Sequence, residues 1–212
     1  MMEALLPSLL SFALASLVIE LVPGPNQTYL AALTLASGLR AGLAAVAGIA
    51  LGLSIYGMAA ALGVAALIDQ SPFLYEILRW TGAIYFLWLA WESWNDEQEE
   101  LPDPAANETR AMMHIAFRRG LVTNLLNPKA AILYVAVLTG FIVPGAASVF
   151  VQTILLSAVF VTVATATHLA VVMLASRLQR FVADPAWRQP IRRVLAIALV
   201  GIAIWFILAT AR

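Results

Sequence analysis

The chain has 212 residues, of which 62% are hydrophobic and only 11% charged. Its mean hydropathy is +0.90, whereas soluble domains run about 45–50% apolar and about 25% charged. These values exclude a soluble globular enzyme and a disordered chain, and 12 basic residues matched by 12 acidic ones exclude a nucleic-acid binder. The absence of cysteine removes disulfides, thiolate metal sites and thiol relays, and two histidines leave little for a metal centre. No cofactor is expected. What remains is an all-α protein embedded in the lipid bilayer.

A membrane-crossing helix needs roughly 20 apolar residues. The first span, 5–37, has no Lys or Arg ahead of it, which reads as a genuine span and not a cleaved signal peptide. It holds Glu20 and is then interrupted by Pro23, Gly24, Pro25, Asn26 and Gln27. The second span, 41–68, has no charge and carries Gly42, Gly48, Gly52, Gly57 and Gly63. The Gly48/Gly52 GxxxG pair predicts close helix packing, either within the chain or across a homo-oligomer face. The third span, 73–94, has Glu76 and Arg79 in its first turns and ends in Trp88, Trp91 and Trp94, an interfacial belt. An acidic hydrophilic stretch over 95–113 reads as a solvated loop.

The fourth span, 114–143, is interrupted in turn by Asn124, Asn127, Pro128 and Lys129. Pro144-Gly145 separates it from the fifth, 147–176, and the sixth covers 191–211. With the N-terminus outside, the inner loops and span ends hold Arg40, Arg110, Arg118, Arg119, Arg177, Arg180, Arg188, Arg192 and Arg193, against Arg79 and Arg212 outside. The positive-inside rule then puts both termini on the periplasmic side and the acidic loop in the cytoplasm.

The single membrane domain, 1–212, divides into two three-helix repeats, 1–94 and 114–212, joined by the loop. An odd number of spans per half forces the halves to cross the membrane in opposite senses. The interrupted spans are the first of each half, and Pro25 and Pro128 lie 103 residues apart, close to half the chain. Paired broken helices in inverted halves point to a transporter site near the bilayer midplane. Proline is best tolerated at the first position of a helix, after a capping residue, as in Gly24-Pro25 and Asn127-Pro128. Each break would begin a half-helix whose N-terminal N–H groups and partial positive charge suit a carboxylate. A simple proline kink accounts for one such motif, but less well for two in register, each flanked by asparagine.

Few polar groups lie in the apolar interior. Lys129 is the only lysine, and a lysine just after a helix break is costly enough to suggest a function. It would bind a substrate carboxylate or pair with an acid, the alternative being snorkelling to an interface. Glu20 is the acid inside the first span, placed to meet a substrate ammonium, to pair with Lys129 or to carry a proton. His168, midway along the fifth span with Thr162, Thr165 and Thr167 around it, has a side chain that titrates at about pH 6.5 when unperturbed. It serves proton coupling or packing. Asn26, Gln27, Asn124 and Asn127 are candidate site residues because amides in hydrocarbon need partners. Tyr29 and Tyr134 carry less signal.

Pro23-Gly24-Pro25-Asn26, the glycine-rich second span, Trp80-Thr81-Gly82-Ala83-Ile84-Tyr85 and Asn124-Leu125-Leu126-Asn127-Pro128-Lys129 together resemble the LysE/RhtB exporters. The resemblance runs in order over nearly the whole chain. It implies an inner-membrane exporter of amino acids or related metabolites, driven by protons, with the two proline motifs lining the path. Some members carry an acid in the fifth span near Ala164 or Thr165, whereas this chain has none between Glu108 and Asp184. Glu20 and His168 would take that charge role. One buried acid against one buried lysine favours a net-neutral, zwitterionic substrate. A membrane-integral enzyme would need convergent catalytic groups that form no recognised motif here. A metal-ion exporter would need more ligands than two histidines and one deep acid.

Overall fold

The computed structural model describes residues 2–21, 24–63, 72–95 and 106–179, and eight positions between 190 and 204. Most of the sixth span, Pro23 and most of the acidic loop therefore lie outside the described residues. Within them the chain is helical and contains no strand. In chain order the helices are α1 (Met2–Leu21), α2 (Pro25–Ala61), α3 (Pro72–Asn95), α4 (Ala106–Leu125), α5 (Pro128–Ile132) and α6 (Val149–Gln179). Three of the described stretches, Glu3–Leu21, Pro25–Ala61 and Val149–Leu178, are long and apolar enough to cross a membrane.

Both sequence breaks are real helix ends. α1 stops at Leu21 and α2 starts at Pro25, while α4 stops at Leu125 and α5 starts at Pro128. α2 itself is two helices, 25–37 and 39–61, divided by Gly38 at φ 86°, ψ 176°. That left-handed conformation carries no Cβ penalty in glycine. A Cβ on Gly42 would strike the Thr34 hydroxyl, yet eight residues of unbroken helix would separate the two by about 12 Å. The chain therefore doubles back at Gly38, which is the boundary between the first two expected spans.

Two expected boundaries shift. α4 begins at Ala106, inside the stretch assigned to the loop, because Asn107, Glu108, Thr109 and Arg110 extend the helix beyond its apolar part. The second half of the fourth span is not a regular α-helix. After α5 the chain widens into a π turn over Leu133–Val137 and tightens into a 3₁₀ turn over Leu138–Phe141. The Pro144-Gly145 corner that follows is closed by buried Gln152. Its amide accepts from Val143 N–H at 2.8 Å and donates to the carbonyls of Val143 and Ala147, each at 2.9 Å.

The membrane-crossing helices α1, α2 and α6 are apolar on most sides, so small and polar side chains mark their inner faces. On α1, Leu6, Leu10, Leu14, Val18 and Leu21 form an exposed stripe for lipid, while Leu5, Phe12, Ser16 and Glu20 face inward. On α6 the inner ridge runs through Gln152, Leu156, Phe160, Ala164, His168 and Val172, one residue every four. α2 packs along both α4 and α6, and α1 lies on α6. Aromatic edges fill the centre, with Phe12 against Phe141 at 5.1 Å and Tyr134 against Phe160 at 5.6 Å between centroids. At the far end of α3, Trp88 lies under the Arg119 guanidinium and Trp94 under that of Arg193.

The GxxxG pair is used within the chain. Cβ atoms on Gly48 and Gly52 would collide with the Phe117 carbonyl and with the Asn124 side chain, both on α4. In return, Gly120 of α4 has the Ala45 carbonyl where its Cβ would stand. Association of helices in lipid relies on such close backbone approach. Gly48→Ala is therefore expected to destabilise the protein by about 1–3 kcal/mol, the usual cost of overpacking. Gly140→Ala, where a Cβ meets nothing within 4 Å, should change little. Thermal unfolding of both variants in detergent checks the contrast.

Candidate functional site

The two helix breaks meet. Gly24 occupies the cap position of α2 and Pro25 its first turn, where the missing N–H costs nothing. Asn127 caps α5, its amide oxygen accepting from Lys129 N–H at 3.0 Å, and Pro128 opens that helix. Between the breaks, Asn26 Nδ2 donates to Asn124 Oδ1 at 2.9 Å, joining residues 98 positions apart. Both asparagines are buried, and the bond satisfies the Asn26 Nδ2 donor and the Asn124 Oδ1 acceptor, leaving Asn26 Oδ1 and Asn124 Nδ2 without a partner among the described residues.

Glu20, at the end of α1 and only 6% exposed, is the centre of the cluster. Lys129 Nζ lies 4.0 Å from its Oε1, and His168 Nε2 lies 3.4 Å from its Oε2. Gln27 Nε2 donates to the same Oε2 at 3.3 Å and also to the Glu20 backbone carbonyl. The carboxylate is thus reached by groups from α2, α5 and α6. His168 is 1% exposed, and neither ring nitrogen completes a hydrogen bond among the described residues. The Lys129 stem packs against Gly24, where a Cβ would stand 3.3 Å from its Cδ.

All the expected site residues within the described part of the chain fall in this region, namely Glu20, Gly24, Pro25, Asn26, Gln27, Asn124, Asn127, Pro128, Lys129 and His168. Tyr134 is tied down nearby, donating to the Leu53 carbonyl at 2.8 Å and stacking on Tyr56, which donates to the Leu125 carbonyl at 2.7 Å. The threonines around His168 do not converge on it. Thr162 and Thr167 each return a hydrogen bond at 2.8 Å to the carbonyl four residues earlier on their own helix. His114 is exposed on α4. Two buried hydroxyls, Ser16 one turn before Glu20 and Thr123 beside Asn124, had only one sequence signal, a polar residue in an apolar run.

A family model for the LysE type translocator matches residues 17–210, nearly all of the chain and both breaks. The chain belongs to the LysE type translocator family. Such translocators are membrane transporters and not enzymes. This translocator is 27% identical over 204 residues to an uncharacterized membrane protein of Vibrio cholerae, across 96% of this chain and 97% of the other. It is 33% identical over 136 residues to the leucine efflux protein of Klebsiella pneumoniae, across 63% of this chain and 62% of that protein. With the homoserine/homoserine lactone efflux protein of Salmonella typhimurium it shares 30% identity over 135 residues, 63% of this chain and 64% of that one. No solved structure matches the translocator.

The Asn26–Asn124 bond can be measured by a double-mutant cycle. Asn26→Ala and Asn124→Ala each leave a buried amide without its partner. The double variant should lose less stability than the sum of the singles, by roughly 1 kcal/mol. Unfolding midpoints of the four proteins in detergent read that coupling.

Proposed function

We propose that this translocator is a proton-coupled secondary exporter of amino acids or related small zwitterions. It works by alternating access at a midplane site between two inverted three-helix repeats, 1–94 and 114–212. One observation carries this reading: buried Glu20 and His168, with partly exposed Lys129, cluster where the two helix breaks meet. Ionisable groups are costly in hydrocarbon and occur there where substrates or ions pass. Relatives named for the efflux of leucine and of homoserine support an amino-acid substrate.

The chemistry follows from charge. One acid and one lysine compensate each other, so a cargo with no net charge can pass without leaving an unmatched ion in the interior. An ammonium group suits Glu20, and a carboxylate suits Lys129. A proton taken up at Glu20 neutralises the carboxylate and releases its hold on Lys129, whereas one on His168 adds a second cation beside Glu20 that competes with Lys129. That is the coupling step. Pro23, Gly24, Pro25, Asn26, Gln27, Asn124, Asn127 and Pro128 line the path around it. The protein acts in the bacterial cytoplasmic membrane, with both termini on the periplasmic side.

Everted vesicles holding the wild type should accumulate an amino acid when a pH gradient is imposed, with leucine and homoserine tested first. Lys129→Ala and Glu20→Gln should each cut that flux at least tenfold at equal protein level. Undiminished flux in both variants would place the site elsewhere. Topology is checked separately, since any cysteine introduced into this cysteine-free chain is unique. Glu3→Cys is expected to react with an impermeant maleimide in intact spheroplasts, and Glu99→Cys only after permeabilisation.

A further inference from the structure

The stretch that follows α5 carries two irregular turns of opposite kind. α5 covers only Pro128–Ile132, after which Leu133–Val137 form a π turn and Leu138–Phe141 a 3₁₀ turn. A π turn closes its hydrogen bonds over one residue more than an α turn, and a 3₁₀ turn over one fewer. The local sequence demands neither. Leu133 to Phe141 contains no proline, and its one glycine, Gly140, does not take a positive φ. The irregularity is therefore set by what holds the two ends of the stretch. Single π turns inside α-helices are rare and recur at functional sites, and mid-helix 3₁₀ stretches recur at hinges.

Those ends are held in different ways. Downstream, the Phe141 ring meets Phe12 edge-on at 5.1 Å, and its carbonyl accepts from the Ser8 hydroxyl. Gln152 closes the corner just beyond, and Leu138 is buried. Upstream, the holding contacts are polar. Lys129 Nζ reaches Glu20 at 4.0 Å, and the Tyr134 hydroxyl, inside the π turn, donates to the Leu53 carbonyl at 2.8 Å. Leu53 lies within α2, where the amide of Gly57 is the regular helical partner of its carbonyl. The Tyr134 bond is thus an extra one on that acceptor, and breaking it leaves the carbonyl satisfied. The ion pair is weakened whenever Glu20 is neutralised. So the downstream end is anchored by packing and backbone contacts, and the upstream end by contacts that can be given up.

We propose that the π turn Leu133–Val137 is a hinge on which α5 rotates and carries Lys129 away from Glu20. A π turn holds one residue in excess of regular α winding. Drawing that residue into the α-helix changes the phase of α5 against Phe141 by one position, about 100° of rotation and about 1.5 Å of rise. The 3₁₀ turn and the corner stay with the fixed downstream part. The ion pair and the Tyr134 bond hold the π form, and neutralising Glu20 frees it. Tyr134 is a positioning residue, which sets the phase of Lys129 through the backbone. The link to transport rests on the exporter reading, but the inference goes beyond it by naming the element that moves.

Lys129 is the only lysine, so amine labelling read on its proteolytic peptide reports its surroundings alone. Deleting Ala136 removes the extra residue of the π turn and fixes α5 in the rotated phase. In the otherwise intact chain, in detergent, Glu20→Gln should speed Lys129 labelling by about fivefold or more. In the deletion background the same substitution should change it less than twofold, because the lysine has already left the acid. An equal effect of Glu20→Gln in both backgrounds overturns the hinge. Hydrogen exchange gives a reading that does not depend on the deletion folding. Exchange over residues 128–137 should be about tenfold faster in Glu20→Gln and about threefold faster in Tyr134→Phe, while residues 142–152 stay within twofold of wild type. Unchanged exchange over 128–137 in both variants, or an equal rise over 142–152, also overturns it. Neither readout uses transport, so a chain that moves no amino acid overturns the exporter reading and not the hinge.

Discussion

A carboxylate buried to the extent of Glu20 inside a lipid-embedded bundle has to be met by positive or hydrogen-bonding groups, because water is not there to solvate it. Lys129, His168 and Gln27 do this, and each arrives on a different helix. One charge thus pins the end of α1, the start of α2, the start of α5 and the middle of α6 to a single point. The breaks are what make the convergence feasible. In an unbroken helix Gln27 would stand about 10.5 Å further along the axis than Glu20. Interrupting the helix after Leu21 lets the Gln27 amide return to both the carboxylate and the backbone carbonyl of Glu20. That carbonyl belongs to the last described turn of α1, where carbonyls at a helix end are open to such side-chain donors.

Convergence also needs the helices to come close, and glycine sets that distance. α2 and α4 touch backbone to backbone at Gly48 and Gly120, and at Gly52 the missing Cβ makes room for the Asn124 amide. Asn124 in turn holds Asn26, so the packing of two helices and the placing of a break are one arrangement. Gly57 does the same for α6, where a Cβ would press on Ser157. In lipid the apolar surroundings reward no particular contact between apolar side chains, so dispersion between closely approaching backbones and buried polar pairs has to specify the bundle.

How much of this could be read in advance differs by residue. The breaks were legible because Pro25 and Pro128 each follow a residue suited to a cap, and because a proline inside an apolar run is costly unless it opens a new helix. Glu20, Lys129 and His168 stood out by the cost of an ionisable group in hydrocarbon. Their choice of partners did not, since an acid, a base and an imidazole on three spans can pair in several ways until packing selects one. The reversal at Gly38 was legible only as a boundary, one glycine among many in a glycine-rich region. The π and 3₁₀ turns after α5 were hidden because Leu133 to Phe141 is as apolar as any regular span. The start of α4 at Ala106 was hidden for the opposite reason, its residues being polar enough to pass for loop. Gln152 had the same signal as Asn26, an amide in an apolar run, but its role at the Pro144-Gly145 corner is local.

The contacts across the two breaks are reciprocal in position and different in chemistry. In each case the second residue of the new helix reaches back to the helix that precedes the other break: Asn26 to Asn124, and Lys129 to Glu20. Equal placement gives two similar latches. Unequal chemistry makes them respond to different things. A neutral amide pair is indifferent to protonation over the physiological range. The Lys129–Glu20 pair loses its attraction when the acid is protonated, and either pole of a zwitterion competes for it. With one contact sensitive to charge and the other insensitive, neutralising Glu20 would loosen the ion pair while the amide pair still holds the two breaks together.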